Sequence, residues 1–590
     1  DTTADVEAPD VSGAITITLS GQSAAVTGTG AEVTDGVVTI TAGGTYVVTG
    51  TMTEGRILVN APKEEVTLVL QDAAITCSTG SPLYVYKSKA TTLYLPEGTA
   101  STLTDGTDYT FSDSYSSAEE EEPNACLYSK SDLIIAGSGS LTVNANYNNG
   151  ITGKDTLFIQ KASVTVNAVN HGINGKDSLT IKDADITVTS GGDALRSTND
   201  SDTTLGYLVI TGSALKLTAG EDGIQAETTL TISGGTATVT TAGGAGQSIS
   251  DDISAKGLKA GTQVTVTGGT FQLNCCDDAI HSNGDVTISG GSFTIATGDD
   301  GMHADDTLSI SSGTIDITRS YEGLEGAKVL ISGGKISIVA SDDGINAAGG
   351  SDQSGFGGFG FAPDAFGGSG DYLIRISGGV VTVNASGDGI DSNGDIEVTG
   401  GELYISGPTS NGDGTIDCDG SATITGGIVV AAGSTGMAEN FGTASTQGSI
   451  LVNLSGSAGQ TITLKDSDGN ILASFTPAKA FGCVVVSAPG VAQGGTYTIA
   501  AGGASTTVTM ESLIYGSGMG GFGGMGGGDV QLMAASGSPR RAVWAAPATA
   551  ADFHSPNKST CHTAGAFSVF GGKPLYGQAP KWYGKGERRR

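Results

Sequence analysis

Three observations predict an all-β chain wound as a parallel β-helix, a solenoid of about 22 residues per rung. First, Val, Ile and Thr alternate in runs such as VTITAGGTYVV between the 95 glycines of a 590-residue sequence. Alternation of that kind marks strands with one buried face. Second, the stretch DDAIHSNGDVTISGGSFTIATGDDGMHAD, Asp277 to Asp305, returns to its own opening after 22 residues. Third, the small residues Gly150, Gly172, Ala194, Ala279, Gly301, Gly323 and Gly344 fall 21 or 22 residues apart wherever no insertion intervenes. Leucine-rich repeats have a similar period, but leucine is sparse and no helical segment fits between the strands. Calcium-binding nonapeptide rolls have a shorter period and another glycine pattern.

Taken in order, residues 1–14 read as a tail and 15–446 as the solenoid, with its first rungs lacking the aspartate signature. TDYTFSDSYSSAEEEEP, residues 107–123, is an acidic insertion expected to form a flexible loop. From Asn148 to Asp419 each rung repeats a small residue, a strand such as Val286–Ile288, a Gly-Gly corner and a second strand such as Phe293–Ile295. Val286, Ile288, Phe293 and Ile295 should point inward above Leu308, Ile310, Ile315 and Ile317. One rung cannot bury its apolar face alone, and stacking makes a continuous core. A Gly/Phe insertion at 349–371, including FGGFGFAPDAFGGSG, reads as a mobile loop or a sticky surface. Residues 447–515 lack the repeat and look like a small C-terminal β cap or accessory domain, followed by a Gly/Met-rich linker, 516–530. The tail 531–590 holds nine Lys or Arg against two acids and shows no alternation; it is expected to be disordered.

The net charge of −33 argues against nucleic acid as a partner, because phosphates need Lys and Arg to neutralise them. No run of 18 apolar residues suggests a membrane span. The chain starts at Asp1, which fits an export signal already removed and an extracellular, secreted or cell-surface location. Seven cysteines without regular spacing read as small core residues, not as a disulfide framework or a zinc site.

Strands on neighbouring rungs lie about 4.8 Å apart, so equivalent side chains stack. Asp278, Asp300, Glu322 and Asp343 should form one column, with Asp193 and Asp222 before it and Asp388 after it. Two like charges at that distance repel by roughly 3.5 kcal/mol at an effective dielectric of ~20, and by less than about 1 kcal/mol in bulk water. A lone carboxylate in an apolar core is too costly, so the column is expected on the outer surface. A divalent cation would reverse its sign, and calcium prefers oxygen ligands at about 2.3–2.6 Å. The candidate metal ligands are therefore Asp222, Asp277, Asp278, Asp299, Asp300, Asp305, Glu322, Asp342, Asp343, Asp388 and Asp391. Asx residues also cap corners in any solenoid; for a single Asp that reading stands, and the register of the set points to a cation.

A second column should run beside the first: Asn174, Arg196, Gln225, Lys259, His281, His303, Glu325, Asn346 and Asp391. Asn283, Asp305, Asn393 and Asp419 lie two positions further on. A strip of acids, amides, imidazoles and a lysine suits a sugar chain, and Lys259, His281, Asn283, His303, Glu325 and Asn346 are the candidate ligand-binding residues. His281 and His303, one rung apart, read as a transition-metal pair or as stacked surface rings.

SISDDISAKGLKAG, DDAIHSNGDVTISGG, DDGMHADDTLSIS, YEGLEGAKVLISGG and DDGINAAGG resemble the secreted bacterial carbohydrate-binding β-helix family related to polygalacturonate-binding proteins. The resemblance runs from about Ile15 to Tyr515. It implies a right-handed helix, bound calcium, affinity for acidic plant cell-wall polysaccharide such as pectin, and a fold similar to that of β-helix pectate lyases. GDGIDSNGD, Gly387 to Asp395, resembles the calcium loop of one lyase family, with Asp388 and Asp391 at the matching acids. Elimination needs a Lys or Arg base beside the metal. Lys259 is the candidate, but it lies several rungs from Asp388, and neither Arg196, Arg319 nor Lys328 clearly completes a site. The expectation is calcium-dependent binding of polygalacturonate without cleavage. The alternatives are a pectate lyase acting by calcium-assisted β-elimination and a surface adhesin or filament subunit that self-associates through the Gly/Phe-rich segments.

Overall fold

The computed structural model describes residues 5–250, 253–348 and 371–516. The Gly/Phe insertion up to residue 370 and nearly all of the linker and basic tail lie outside the described residues. Every regular element that is described is a strand. Strands from successive turns of the chain pair in parallel and in register. Val286 and Ile288 lie against Leu308 and Ile310, and Phe293 and Ile295 against Ile315 and Ile317. All eight side chains are buried. The rings of Phe271 and Phe293 stack with centroids 4.6 Å apart and planes 8° from parallel.

The expectation of an open right-handed β-helix is corrected by the way the large sheet closes. The strand Glu65–Cys77 is 13 residues long. Its first half pairs with Ala90–Tyr94 and its second half with Ala100–Asp105. Thr229–Thr241 likewise pairs with both Tyr207–Thr211 and Ala214–Ala219. One side is completed by Asp132–Ala136, Thr156–Gln160 and Ser178–Lys182, and the other by Ser140–Ala145, Ser163–Ala168 and Asp185–Ser190. The ring is a closed 12-strand parallel β-barrel, not an open solenoid. Its physical cause is at the corners. Asp72 at φ 53° and Gly234 and Gly235 at φ 87° and 86° turn the chain through left-handed backbone. The long strands therefore bend without ceasing to pair, and alternation alone cannot show this.

The first strand, Ile15–Gly21, folds back on Ser23–Thr27 as an antiparallel hairpin. At the other end, Ile428–Gly433 pairs antiparallel with Phe481–Ser487, which pairs antiparallel with Ser449–Gly456. Four more strands, Ile462–Lys465, Ile471–Phe475, Thr496–Ala501 and Ala504–Thr509, form a separate antiparallel sheet. The six described cysteines are free, and all but Cys418 are buried.

The acidic insertion is anchored instead of loose. Tyr109 stacks on Tyr147 at 4.1 Å, the Tyr84 hydroxyl donates to the Tyr115 carbonyl at 2.8 Å, and Arg56 pairs with Asp113. Glu122 receives the ammonium groups of Lys130 and Lys154, each at 2.6 Å. Burial alone would raise the Glu122 pKa, but the two lysine hydrogen bonds outweigh it and bring it down to about 2.

A carboxylate held below its ordinary value of about 4.5 stabilises the fold fully above that pH and ceases to as the pH falls toward 2. Limited proteolysis within 107–123 is therefore expected to accelerate over that window, and Glu122→Gln to abolish this pH dependence. Phe293→Ala is expected to cost about 3–5 kcal/mol in chemical denaturation, through lost transfer energy and the cavity left behind.

Candidate functional site: a strip of stacked polar files

From Asn149 to Ile390 each turn of the chain reaches its corner through one polar residue, one small residue and one apolar residue that points into the core. The small residue is required by close approach. A Cβ on Gly301 would meet the Gly323 carbonyl oxygen at 2.4 Å and Ile317 Cδ1 at 2.6 Å. Corner hydrogen bonds link successive turns: Gly257 N to Asp278 O, Ala279 N to Asp300 O, Gly301 N to Glu322 O, Gly323 N to Asp343 O and Gly344 N to Asp388 O, at 2.8–3.0 Å. Asp222, Asp278, Asp300, Glu322, Asp343 and Asp388 thus stand in one file, as the spacing predicts. Asp277, Asp299 and Asp342 precede their partners in it. Asp343 and Asp388 occupy adjacent turns although 45 residues separate them in sequence.

The second file is also in register. The pairings run Asn174, Arg196, Gln225, Lys259, His281, His303, Glu325, Asn346, Asp391 and on to Asp417. His281 and His303 stack with centroids 4.8 Å apart.

The expectation that the first file faces solvent is corrected. Asp278 and Asp300 are each only 1 % exposed, and Asp222 is 3 % exposed. Burial is tolerated because the aspartates of the file accept a backbone N–H from the next turn. Asp193 Oδ1 accepts from Asp222 N at 3.1 Å, Asp222 from Lys256 N at 2.8 Å, Asp278 from Asp300 N at 3.0 Å, Asp300 from Glu322 N at 3.3 Å and Asp343 from Asp388 N at 2.5 Å. A buried polar group with a partner avoids most of the desolvation cost.

Lys256 is the residue that sequence reasoning missed. It occupies the file position that carries Asp in neighbouring turns, in AKGL against DDAI, and that alignment was the available signal. Its ammonium lies 2.9 Å from Asp277 Oδ1 and 2.6 Å from Asp278 Oδ2. Lys259, the candidate base, sits 3.3 Å from Asp222 Oδ2 and 2.9 Å from Ser254 Oγ. Further along, His303 Nδ1 faces Glu325 Oε2 at 2.5 Å and Asp300 Oδ2 at 3.2 Å, while its Nε2 faces Asp305 Oδ1 at 3.1 Å. The ring nitrogens of His281 face Asp278 Oδ2 at 2.9 Å and Asn283 Oδ1 at 3.1 Å.

These contacts divide the strip electrically. Burial opposes charge on His303, but hydrogen bonds to Asp300 and Glu325 prevail and raise its pKa to about 12, so the ring is an imidazolium. Burial would raise Asp278, yet Lys256 and the two histidines hold it well below the usual carboxylate range. Asp300 goes the other way, pushed up by burial and by Asp278 and Glu325. The middle of the strip therefore supplies its own cations.

The following turns do not. Burial and the neighbouring acid Glu325 raise Glu322 to about 8. Burial and repulsion from Asp388, Glu322 and Asp342 raise Asp343 to about 9. Asp388 rises to about 8, chiefly through burial, with Asp391, Asp417 and Asp413 adding repulsion. Asp343, Asp388 and Asp391 each offer an oxygen, all within 4.8 Å of one another. Asn346 beside them is 7 % exposed, its amide N–H donates to Glu322 Oε2 at 2.9 Å, and its Oδ1 is buried without a hydrogen-bond partner. Crowded acids and an orphan carbonyl-type oxygen form the donor set of a hard cation.

The sequence is similar to those of known proteins. A family profile described as "Carbohydrate-binding domain-containing protein" matches residues 34–301 and 299–536. A protein with that same description from Acetivibrio thermocellus is 41 % identical over 204 residues, which are 34 % of this chain and 70 % of the relative. The solved structure of a polysaccharide lyase-like protein from C. thermocellum, a gadolinium derivative, is 33 % identical, with 39 % of this chain and 92 % of that chain covered and a TM-score of 0.37. Among the described residues, no helix is long and apolar enough to cross a membrane.

Replacing His303 by Leu removes the cation from a buried cluster and leaves Glu325 and Asp300 facing each other. A loss of about 3–5 kcal/mol is expected in chemical denaturation, the scale for breaking a buried ion pair from one side.

Proposed function

We propose that this chain, which belongs to the carbohydrate-binding domain-containing protein family, binds acidic polysaccharide, of the polygalacturonate type, through calcium held on its strip. The observation that carries this is the contrast along the strip. Lys256 and His303 neutralise the middle turns, whereas Asp343 and Asp388 form no ion pair with a Lys, Arg or His among the described residues. A divalent cation at Asp343, Asp388 and Asp391, with Asn346 Oδ1 as a further oxygen, would remove the repulsion that raises the first two. Calcium takes six to eight oxygens, so such a set leaves positions for the carboxylate and hydroxyl oxygens of a sugar chain. The sequence resemblance to polygalacturonate-binding proteins supports the same substrate class, and an extracellular location suits it.

Binding without cleavage is favoured by where Lys256 and the candidate base Lys259 are held. Lys256 is locked between Asp277 and Asp278 and Lys259 lies against Asp222, turns away from Asp388, so neither stands as a base beside the candidate cation.

The test is affinity electrophoresis of the full chain through polygalacturonate, with calcium and with chelator. Calcium is expected to retard the protein, and chelator to weaken retention by about tenfold or more, a change of about 1.4 kcal/mol. Asp343→Asn is expected to reproduce the chelator effect, and no unsaturated, ultraviolet-absorbing product should accumulate. Retention that ignores chelator and Asp343→Asn alike would overturn the calcium reading, and unsaturated product would replace binding by lyase action.

A further inference from the structure

The strip continues toward the first turns with the opposite charge. Tyr84, Tyr128 and Thr152 precede Asn174 in the second file. Two positions beyond that file lie Tyr86, Lys130, Lys154 and Lys176. Each directly follows a residue paired with its counterpart on the next turn, Val85 with Ser129, Ser129 with Gly153 and Gly153 with Gly175. The backbone bonds Lys130 N to Val85 O, Lys154 N to Ser129 O and Lys176 N to Gly153 O, at 2.8–2.9 Å, carry that register across the corner. Three lysines therefore stand on consecutive turns, spanning roughly 10 Å at the strand spacing. In later turns the same file holds Asn283, Asp305, Asn393 and Asp419.

In a chain of net charge −33, this lysine file already has an occupant. Glu122, itself only 7 % exposed, places its two oxygens on Lys130 and Lys154 at 2.6 Å. Lys130 also lies over the Tyr86 ring at 5.8 Å, and Tyr86 meets Tyr115 of the same insertion edge-on at 5.2 Å. Lys176 is half-buried and forms no ion pair with an acid among the described residues. Asp155 and Asp177 follow Lys154 and Lys176 in sequence, so the attraction is local to the ammonium ends.

We propose that Lys130, Lys154 and Lys176 form a carboxylate-binding subsite for an acidic polysaccharide, and that Glu122 of the 107–123 insertion is an internal carboxylate occupying two of the three. This rests on the polysaccharide reading above but not on its calcium. A glycan bearing one carboxylate per sugar binds directly to ammonium groups at this end and through a cation at the other. Glu122 shows that the lysine pair accepts a carboxylate in a two-oxygen geometry, and Lys176 extends the row by one turn.

The experiment uses the full chain in chelator at low salt, titrated with polygalacturonate by affinity electrophoresis, with methyl-esterified pectin as the neutral control. Residual, salt-sensitive retention by polygalacturonate alone is expected. Lys176→Gln is expected to weaken it about two- to fivefold, the range of a partly exposed ion pair, and Glu122→Gln to tighten it by a similar factor, since the insertion keeps its Arg56–Asp113 and tyrosine anchors. If retention in chelator is absent, equal for the esterified polymer, or indifferent to both Lys176→Gln and Glu122→Gln, the lysine subsite is overturned while calcium-dependent retention can still stand. If Lys176→Gln weakens retention and calcium has no effect at all, the subsite is upheld and the calcium reading fails instead.

Discussion

In-register parallel pairing governs this molecule. Once Ile280, Met302, Leu324, Ile345 and Ile390 stack in the core, the residue two places before each is brought into a single file. Side-chain choice at those positions then becomes a collective matter. Each aspartate of the file gains a backbone N–H from its successor, and acids on adjacent turns lose by facing each other about 4.8 Å apart. Two responses are visible along the strip. Lys256 within the acid file and His303 in the file beside it put cations among the acids, and further on the carboxyls of Glu322, Asp343 and Asp388 rise in pKa instead.

Much of this was legible from residues alone. The 22-residue spacing gives both files, because a strand repeat fixes register whenever its apolar positions must stay inside. The inward residues Val286, Ile288, Phe293 and Ile295 follow from alternation for the same reason. Burial of the acids was not legible. It depends on whether a backbone donor meets each carboxylate, a property of corner geometry that hydropathy does not encode. Closure of the sheet into a ring was hidden too, since it rests on left-handed backbone at Asp72 and at Gly234 and Gly235, and such corners can either end a strand or bend it. Lys256 was recoverable in principle by aligning AKGL with DDAI, but the eye follows the repeated acids and passes over the one exchange of sign.

The insertion at 107–123 shows how composition misleads when partners are distant in sequence. Four consecutive glutamates suggest a solvated loop. Yet Glu122 finds Lys130 and Lys154 on two successive turns, and Asp113 finds Arg56 from an earlier one. Its acids complement cations that the register had already gathered.

The two ends of the large sheet carry a different lesson. Parallel strands stacked turn upon turn leave open rows of N–H and C=O groups at each terminus, which are templates for another copy. Here the hairpin of Ile15–Gly21 with Ser23–Thr27 and the reversed strand Phe481–Ser487 lie across those rows. Reversal of direction stops the stack from being extended by a further identical turn. At both ends of that face the last in-register turn meets a strand running the opposite way, so the edge presented there differs from the one the turns use among themselves.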